Sequence, residues 1–419
     1  MSGRSARRSP WTRPRDKFIA AAIALGVAAA GLAAWATSDS AATESTVATA
    51  PAPELDMPFR VPASFTELWR APSAATPVPV AEGSTVVTGD GGEVVGRNPL
   101  TGEQRWRYAR DIDLCTVAGE WSRAVAVYTK GEGCSEVTAL DAATGHRRAQ
   151  RNGDAEEGTR LLSDGTHLVT TGTRLINVWS QELLRTMEFG ELPAPVNPGK
   201  QPRAGCEFGS IAVADGKIAV VARCPDESTA RLIVLKTTHY ENNESRSDEP
   251  KELYSALLPG GPARVVAVSD PESKDKPVTA VALAEQQLLL VYGPDGKRSS
   301  AYELDLPEQE LTAIPADGVL TTSRTDEAVY WFTGSATIAL AADDFRPQWT
   351  LRDTLGTTTM FAERLLVPIS GGIAVVDPEN GKTLRTVPVD RGDYTGPVRL
   401  ATIGPVLLEQ RGDTLVALR

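Results

Sequence analysis

The sequence has few residues of the kinds that bind metals or perform catalysis. Its 419 residues include three histidines and four cysteines, and no two cysteines have the C-x-x-C spacing typical of a zinc site. No G-x-S-x-G or H-E-x-x-H motif occurs. The histidines fall in or beside predicted turns and loops, where a solvated surface role is expected; they are His146, His167 and His239. We therefore predict no catalytic residue, no cofactor site and no metal site.

Two other motifs have plain structural interpretations. The segment Gly89–Gly96 is rich in glycine but lacks the G-x-G-x-x-G spacing of a phosphate loop, so we predict a hairpin turn there. Arg-Gly-Asp, the tripeptide known from adhesion ligands, occurs at 391–393 and 411–413. Glycine and aspartate are common turn residues, so we predict turns between strands at both places.

The charge is unevenly distributed along the chain. The formal net charge is −11, yet residues 1–17 carry six basic residues and one acidic residue, which leaves −16 for the remainder. An acidic domain repels phosphate backbones, which argues against a nucleic-acid partner.

One long apolar segment, Phe18–Ala36, contains no charged residue. As a helix, its 19 residues would span roughly 28 Å, close to the thickness of the hydrocarbon core of a bilayer. The preceding basic residues favour a single-pass anchor with a cytoplasmic tail (residues 1–17) and an extracytoplasmic C-terminus. A signal peptide cleaved after Ala36 is the alternative, because Ala34-Trp35-Ala36 fits an A-x-A site. Residues 37–64 are rich in Ala, Thr, Ser and Pro and predict a flexible linker.

From residue 65 onward, one pattern recurs every 35–45 residues or so. An apolar strand ends at Asp or Asn, which caps a turn; Gly then supplies a positive φ, and a further strand carries Trp or another large residue. The copies span 94–106, 137–146, 289–297 and 373–382. Helical periodicity is absent after residue 36.

Four antiparallel strands in each repeated unit predict an all-β fold, a β-propeller over residues 65–419. The unit boundaries indicate eight blades, at about 78–108, 112–150, 159–189, 207–257, 263–305, 311–351, 357–389 and 397–418. Seven is the alternative, because the sixth unit is irregular. The last unit has only three strands, and we expect Phe65–Arg70 to supply its fourth and to close the ring.

The four cysteines, in a domain expected outside the cytoplasm, predict disulfides. Cys206 and Cys224 flank the turn at Asp215-Gly216 almost symmetrically, so a hairpin would place them opposite each other. Cys115 and Cys134 both fall in the second unit, and we expect Cys115 at its first strand and Cys134 in the loop after its second strand. Of the three connectivities that four cysteines allow, we predict the most local one, Cys115–Cys134 and Cys206–Cys224.

The pattern of a strand followed by Asp-x-x-Thr-Gly and Trp resembles the repeat of the pyrroloquinoline-quinone-like (quinoprotein alcohol dehydrogenase-like) propeller superfamily. The motifs at Asn98–Trp106 and Asp141–Gly145 carry the resemblance, while Ala149 and Arg385 stand at the Trp position of other copies. The superfamily includes quinoprotein dehydrogenases and the non-enzymatic lipoprotein of the outer-membrane β-barrel assembly complex. The catalytic members have adjacent cysteines at a quinone and Ca²⁺ site; this chain has none. Its layout is more similar to the scaffold member and to membrane-anchored actinobacterial envelope proteins.

These observations favour a non-catalytic module of the cell envelope that binds another envelope protein, whose identity the sequence leaves open. A degenerate quinoprotein-type dehydrogenase and an envelope ligand sensor are the alternatives. The charged loop His239–Glu252 predicts a disordered insertion, with a docking loop as the alternative.

Overall fold

A long apolar helix is the first element that the structure describes. The computed structural model describes residues 14–50, 52, 54–193, 201–237, 250, 252–269, 279–312 and 318–419. Helix α1 spans Pro14–Ala36, and none of its residues is buried. It begins four residues before the apolar run because Pro14 and Asp16 suit the first turn of a helix. The helix is long and apolar enough to cross a membrane, which fits either a single-pass anchor or a signal peptide.

Two strands precede the first blade: β1 (Thr43–Thr46) and β2 (Glu67–Pro72). Blades one to four follow in order, each an antiparallel sheet of consecutive strands. Their strands are β3 (Val80–Glu82), β4 (Thr85–Asp90), β5 (Glu93–Arg97) and β6 (Gln104–Arg110); β7 (Leu114–Glu120), β8 (Arg123–Lys130), β9 (Gly133–Asp141) and β10 (Arg147–Ala155); β11 (Leu161–Ser163), β12 (Leu168–Thr170), β13 (Leu175–Trp179) and β14 (Arg185–Gly190); and β15 (Glu207–Ala214), β16 (Lys217–Arg223), β17 (Arg231–Lys236) and β18 (Glu252–Leu257).

Blades five to eight continue the same pattern, with a short helix between blades five and six. Their elements are β19 (Ala263–Val268), β20 (Thr279–Leu283), β21 (Leu288–Tyr292) and β22 (Arg298–Glu303); α2 (Glu308–Thr312); β23 (Thr322–Arg324), β24 (Ala328–Phe332), β25 (Ala336–Ala341) and β26 (Pro347–Arg352); β27 (Thr359–Phe361), β28 (Arg364–Ile369), β29 (Gly372–Val376) and β30 (Thr383–Pro388); and β31 (Val398–Ile403), β32 (Val406–Arg411) and β33 (Thr414–Leu418). The prediction of an eight-bladed propeller is confirmed, and the seven-bladed alternative is wrong.

The ring is closed by strands from the two ends of the domain. Strand β2 pairs antiparallel with β33, so that blade eight has the order β2-β33-β32-β31. Thr66 and Arg419 exchange backbone hydrogen bonds of 2.8 and 2.9 Å just beyond this ladder. The predicted closure by Phe65–Arg70 is therefore confirmed, and it removes what would otherwise be an open sheet edge.

The strand order defines two faces of the propeller. The first strands of neighbouring blades contact each other: β3 of blade one, for example, contacts β7 of blade two and β31 of blade eight. The first strands therefore surround the axis. Because successive strands run antiparallel, the turns after the first and third strands lie on one face, which we call the lower face. The turns after the second strands and the links between blades lie on the opposite, upper face.

Aromatic clamps join several neighbouring blades at the lower face. The third residue of the fourth strand is Trp69, Trp106, Tyr254 or Trp349 in blades eight, one, four and six. Each ring lies against a positive-φ glycine in the next blade's turn; a Cβ at Gly145 would lie 2.6 Å from Cγ of Trp106. Each indole Nε1 also donates to a carbonyl of that turn, at 2.8–2.9 Å. The turn glycine thus provides both the φ we predicted and room for a neighbouring ring.

Helix α2 corrects the expectation that no helix follows residue 36. Its five residues, Glu308–Thr312, lie in the link between blades five and six, outside the sheets. Pro307 precedes the helix, and its carbonyl accepts a bond from the Glu310 N–H. Proline and acidic residues favour a helix start locally, although a single turn leaves no periodicity to detect.

The predicted flexible linker over 37–64 is held against the propeller in two places. Strand β1 pairs with β6 and adds a fifth strand to the outer edge of blade one. Farther along, Val61 is buried in the core between blades seven and eight. The prediction of flexibility is wrong for these parts, because the backbone of β1 and a single buried valine make contacts that linker composition does not reveal.

Candidate functional site

The axis of the propeller contains two adjoining cavities of about 340 and 420 Å³. Their walls come from the first strands of the blades and consist mostly of small or apolar side chains, such as Ala81, Leu162 and Leu400. Arg160 and Arg399 add positive charge to the wall of the 340 Å³ cavity. Such walls can surround a small molecule or a side chain, and the described residues around them contain no group of three or more His, Cys, Asp and Glu that could hold a metal ion.

The link from blade five to blade six narrows this axial space. Ile211 of blade four forms a parallel bridge with Val319, and its N–H donates to the Gly318 carbonyl at 2.9 Å. On the lower face, Arg324 of blade six forms an ion pair of 2.8 Å with Asp215 of blade four. Blades four and six are therefore joined across the inner end of blade five. Nothing in the repeat pattern indicated this crossing, since it joins residues more than one hundred positions apart.

A pair of carboxylates lies at the lower end of the axial space, where β3 and β7 end. Glu82 lies against Gly119, at which a Cβ would be only 2.6 Å from Glu82 Oε1. Burial raises the pKa of Glu82 to about 7, the Glu120 carboxylate adds to the rise, and a backbone hydrogen bond from Ser122 opposes it. Glu120 accepts a short hydrogen bond from the Ser163 hydroxyl of blade three. Glu82 thus binds a proton near neutral pH, and Glu120 is the neighbouring negative charge.

Replacing Glu82 by Gln should flatten the pH dependence of stability. Glutamate in an unfolded chain has a pKa of about 4.3. Between that pH and about 7, the folded chain therefore holds a proton on Glu82 that the unfolded chain has lost. The stabilisation that Glu82 contributes is fully present below the pKa of the unfolded chain, and it is lost as the pH rises through the pKa of the folded chain. Urea midpoints at pH 5 and pH 8 should therefore differ less in Glu82→Gln than in the native protein. Glu379→Gln, in an exposed turn, is the control, and an equal flattening there would contradict the assignment.

Of the two described histidines, His167 makes a side-chain contact within the fold and His146 is exposed. His167 Nδ1 lies 3.1 Å from Oδ2 of Asp164 in the turn after β11, and the same carboxylate oxygen accepts a bond of 2.6 Å from Thr237. Burial raises the pKa of Asp164, but the bonds from His167 and Thr237 outweigh it and the net shift is downward. His146 is exposed in the lower turn of blade two. His239 and most of the loop 239–252 lie outside the described residues.

Both predicted disulfides are present in the structure. Cys115 is joined to Cys134 within blade two, and Cys206 to Cys224 within blade four. The second bond ties the open end of the hairpin made by β15 and β16, as the symmetric spacing indicated. Cys134 lies in the third strand of its blade, whereas we predicted a loop after the second strand. Each bond closes a loop of about twenty residues, which corresponds to about 3 kcal/mol in the chain-entropy treatment.

The two Arg-Gly-Asp tripeptides have buried arginines. Arg391 and Arg411 both form ion pairs with the fully buried Glu409, at 2.8 and 2.7 Å. Arg391 also donates to the carbonyls of Ile369 and Gly372 in blade seven. These side chains therefore stabilise blade packing, in agreement with the predicted turns. The glycine-rich segment at 89–96 is the β4–β5 hairpin, also as predicted.

Residues 54–66 cross the lower face at blades eight and seven, and we call this segment the strap. It is held by the buried side chains of Val61 and Phe65, the latter packed edge-on against Phe361 at 5.9 Å. Arg385, at the Trp position of blade seven, donates to the carbonyls of Val61 and Pro62 at 2.6 and 3.0 Å. Between Leu55, which packs on blade eight, and Val61, the side chains of Met57 and Phe59 project into solvent; Met57 is 72% exposed and Phe59 fully exposed.

A family model described as outer membrane protein assembly factor BamB matches residues 62–186, less than half of the chain. Solved structures with a similar fold include BamB from Moraxella catarrhalis, at 13% identity over 85% of this chain and 99% of that one, with a TM-score of 0.50. The computationally designed protein Ika8 is 14% identical, over 84% of this chain and 98% of that one, with a TM-score of 0.55. Sqt1 from Saccharomyces cerevisiae is 10% identical, over 84% of this chain and 97% of that one, with a TM-score of 0.52. No curated protein matched the chain.

Proposed function

We propose that this pyrroloquinoline-quinone-like β-propeller is a non-catalytic protein-binding or scaffold module of the cell envelope. In this proposal α1 is a single-pass anchor in the cell membrane. Residues 1–17 then lie in the cytoplasm, and the propeller of residues 65–419 lies outside it. The partner is another envelope protein.

The strap is the observation that carries the proposal. Met and Phe are enriched in protein interfaces. Here both project from a segment that is fixed on one side by the buried Val61 and Phe65 and on the other by the partly buried Leu55. A fixed strap loses little conformational entropy when a partner covers it. Leu68, Met360 and Leu384 are further exposed apolar side chains of blades seven and eight. Together they offer an apolar contact area on the lower face.

Further observations support the location and the binding role. The basic residues before α1 favour a cytoplasmic N-terminus, and the helix is long enough to cross a bilayer. The two disulfides fit an oxidising compartment outside the cytoplasm. The match to a family described as an assembly factor agrees with a binding role.

The experiment is site-specific photocrosslinking in intact cells, followed by reconstitution. A photoreactive phenylalanine at position 59 should yield one dominant crosslinked protein, which is then identified and purified. The matched control is position 184, since Leu184 is 55% exposed on the lower face of blade three, away from the strap. The purified partner should bind the native chain and should bind Met57→Ser/Phe59→Ser at least tenfold more weakly.

The control position decides how the crosslinks are interpreted. Equal crosslinking at positions 59 and 184 would mean that the strap is no interface. Unchanged affinity of the double variant for the purified partner would also overturn the strap as the binding site. Circular dichroism of the variant checks that its fold is intact.

A further inference from the structure

We propose that the upper rim of blades one and two lies against the lipid headgroups of the membrane that α1 crosses, held there by residues 37–46. This inference rests on the proposed anchor and goes beyond it, because it fixes which side of the propeller faces the bilayer. We call residues 37–46 the staple.

The first step is an ion pair close to the end of the helix. Asp39, three residues after the end of α1, lies 2.9 Å from Lys130 Nζ and 3.6 Å from the Arg110 guanidinium. Lys130 belongs to the upper end of blade two, and Arg110 to the upper end of β6. The hydrogen bond and charge of Lys130 hold the pKa of Asp39 below its usual range.

The second step is that the receiving site is preformed. Glu136 is fully buried and binds both cations, Lys130 at 3.0 Å and Arg110 by a shorter contact. The guanidinium of Arg110 is itself buried. Asp39 is exposed, so its ion pair alone contributes little energy.

The third step is the strand pairing that follows. Strand β1 pairs with β6 in continuous register, from Thr43 opposite Arg110 to Thr46 opposite Arg107. Arg107 also binds Glu44 at 2.8 Å. The chain is therefore attached to blade one within ten residues of the helix, and it runs from the upper end of β6 toward the lower end.

The short distance that the chain can span between α1 and Asp39 determines where the upper rim lies relative to the membrane. Three residues extend at most about 10 Å, and the headgroup layer on each side of the hydrocarbon core is about 5–8 Å thick. The upper end of blade two must therefore lie at or next to the headgroups, since Asp39 touches Lys130 directly. The lower face, with the strap, then points away from the membrane, which leaves it open to a partner.

The experiment measures depth with fluorescent labels on the full-length protein in nanodiscs. All four native cysteines are paired, so a single added cysteine is the only free thiol. Glu132→Cys labels the upper turn of blade two, and Glu379→Cys labels the lower turn of blade seven; both positions are exposed. Headgroup nitroxide lipids should quench the label at 132 at least threefold more than the label at 379.

A second variant tests the staple itself. Asp39→Asn/Glu44→Gln/Ser45→Pro removes the three ion pairs of Asp39 and Glu44 and disrupts β1, while leaving the four strands of blade one in place. In this background, quenching at 132 should fall toward the level at 379.

Each other outcome overturns the proposal in a recognisable way. Equal quenching at 132 and 379, in protein that stays with the nanodiscs, overturns the orientation while leaving the anchor intact. Unchanged quenching in the staple variant overturns the role of residues 37–46. Protein that separates from the nanodiscs overturns the anchor and the orientation with it.

Discussion

Glu409→Ala should lower the free energy of unfolding by about 3–5 kcal/mol, because it removes the carboxylate that pairs with the buried side chains of Arg391 and Arg411. The desolvation of Arg391 and Arg411 would then no longer be offset. Arg391 also connects blade eight to carbonyls of blade seven, so the loss should loosen the packing of the last blade. Urea denaturation of the full-length protein in detergent, followed by tryptophan fluorescence, measures the effect.

The matched control is Asp305→Ala, which removes one partner of an exposed ion pair with Arg352. Exposed pairs contribute less than about 1 kcal/mol, so this variant should unfold close to the native midpoint. If the two variants unfolded at the same urea concentration, the central role of Glu409 would be refuted.

Trp106→Ala should also destabilise the protein by about 3–5 kcal/mol, the range for removing a large buried aromatic side chain. Trp106 is completely buried, lies on Gly145 of the next blade and donates its Nε1 to the Ala142 carbonyl. The variant would leave a cavity between blades one and two and an unpaired carbonyl. The same denaturation measurement applies.

Trp349→Ala is the comparison that separates the effect of burial from the effect of the hydrogen bond. Trp349 makes an equivalent bond to Pro378 and lies on Gly381, but it is only partly buried. Both variants lose the same hydrogen bond, so the expected difference between them reports the apolar area removed from water. A loss at Trp349 as large as at Trp106 would show that the clamp depends on the hydrogen bond instead.

Much of the fold could be predicted because its signals are local. The strand, the Asp or Asn turn and the glycine lie within about ten residues of one another, so the blades that contain this motif are apparent in the sequence. The same holds for Cys206 and Cys224, whose positions around one turn place them opposite each other. Ring closure was predictable because the segment around Trp69 repeats the pattern around Trp106.

The site features could not be predicted because they depend on contacts between blades. Glu82 and Glu120 are ordinary surface residues in the sequence, and only the adjacency of β3 and β7 brings them together. The two Arg-Gly-Asp arginines look like turn residues until the fold places them on Glu409. Residues 54–64 of the strap were predicted as linker because few side chains hold them, chiefly Leu55 and Val61, and two apolar residues make no periodic pattern.

Ring closure also has a consequence for how the protein is made. Strand β2 precedes blade one in the chain, and its partner β33 is the last strand of blade eight. The partner of β2 is therefore synthesised after the other seven blades, and blade eight stays incomplete until β33 has left the ribosome. A chain released before β33 is made would leave β2 and β32 without the strand between them, and unpaired strand edges promote aggregation.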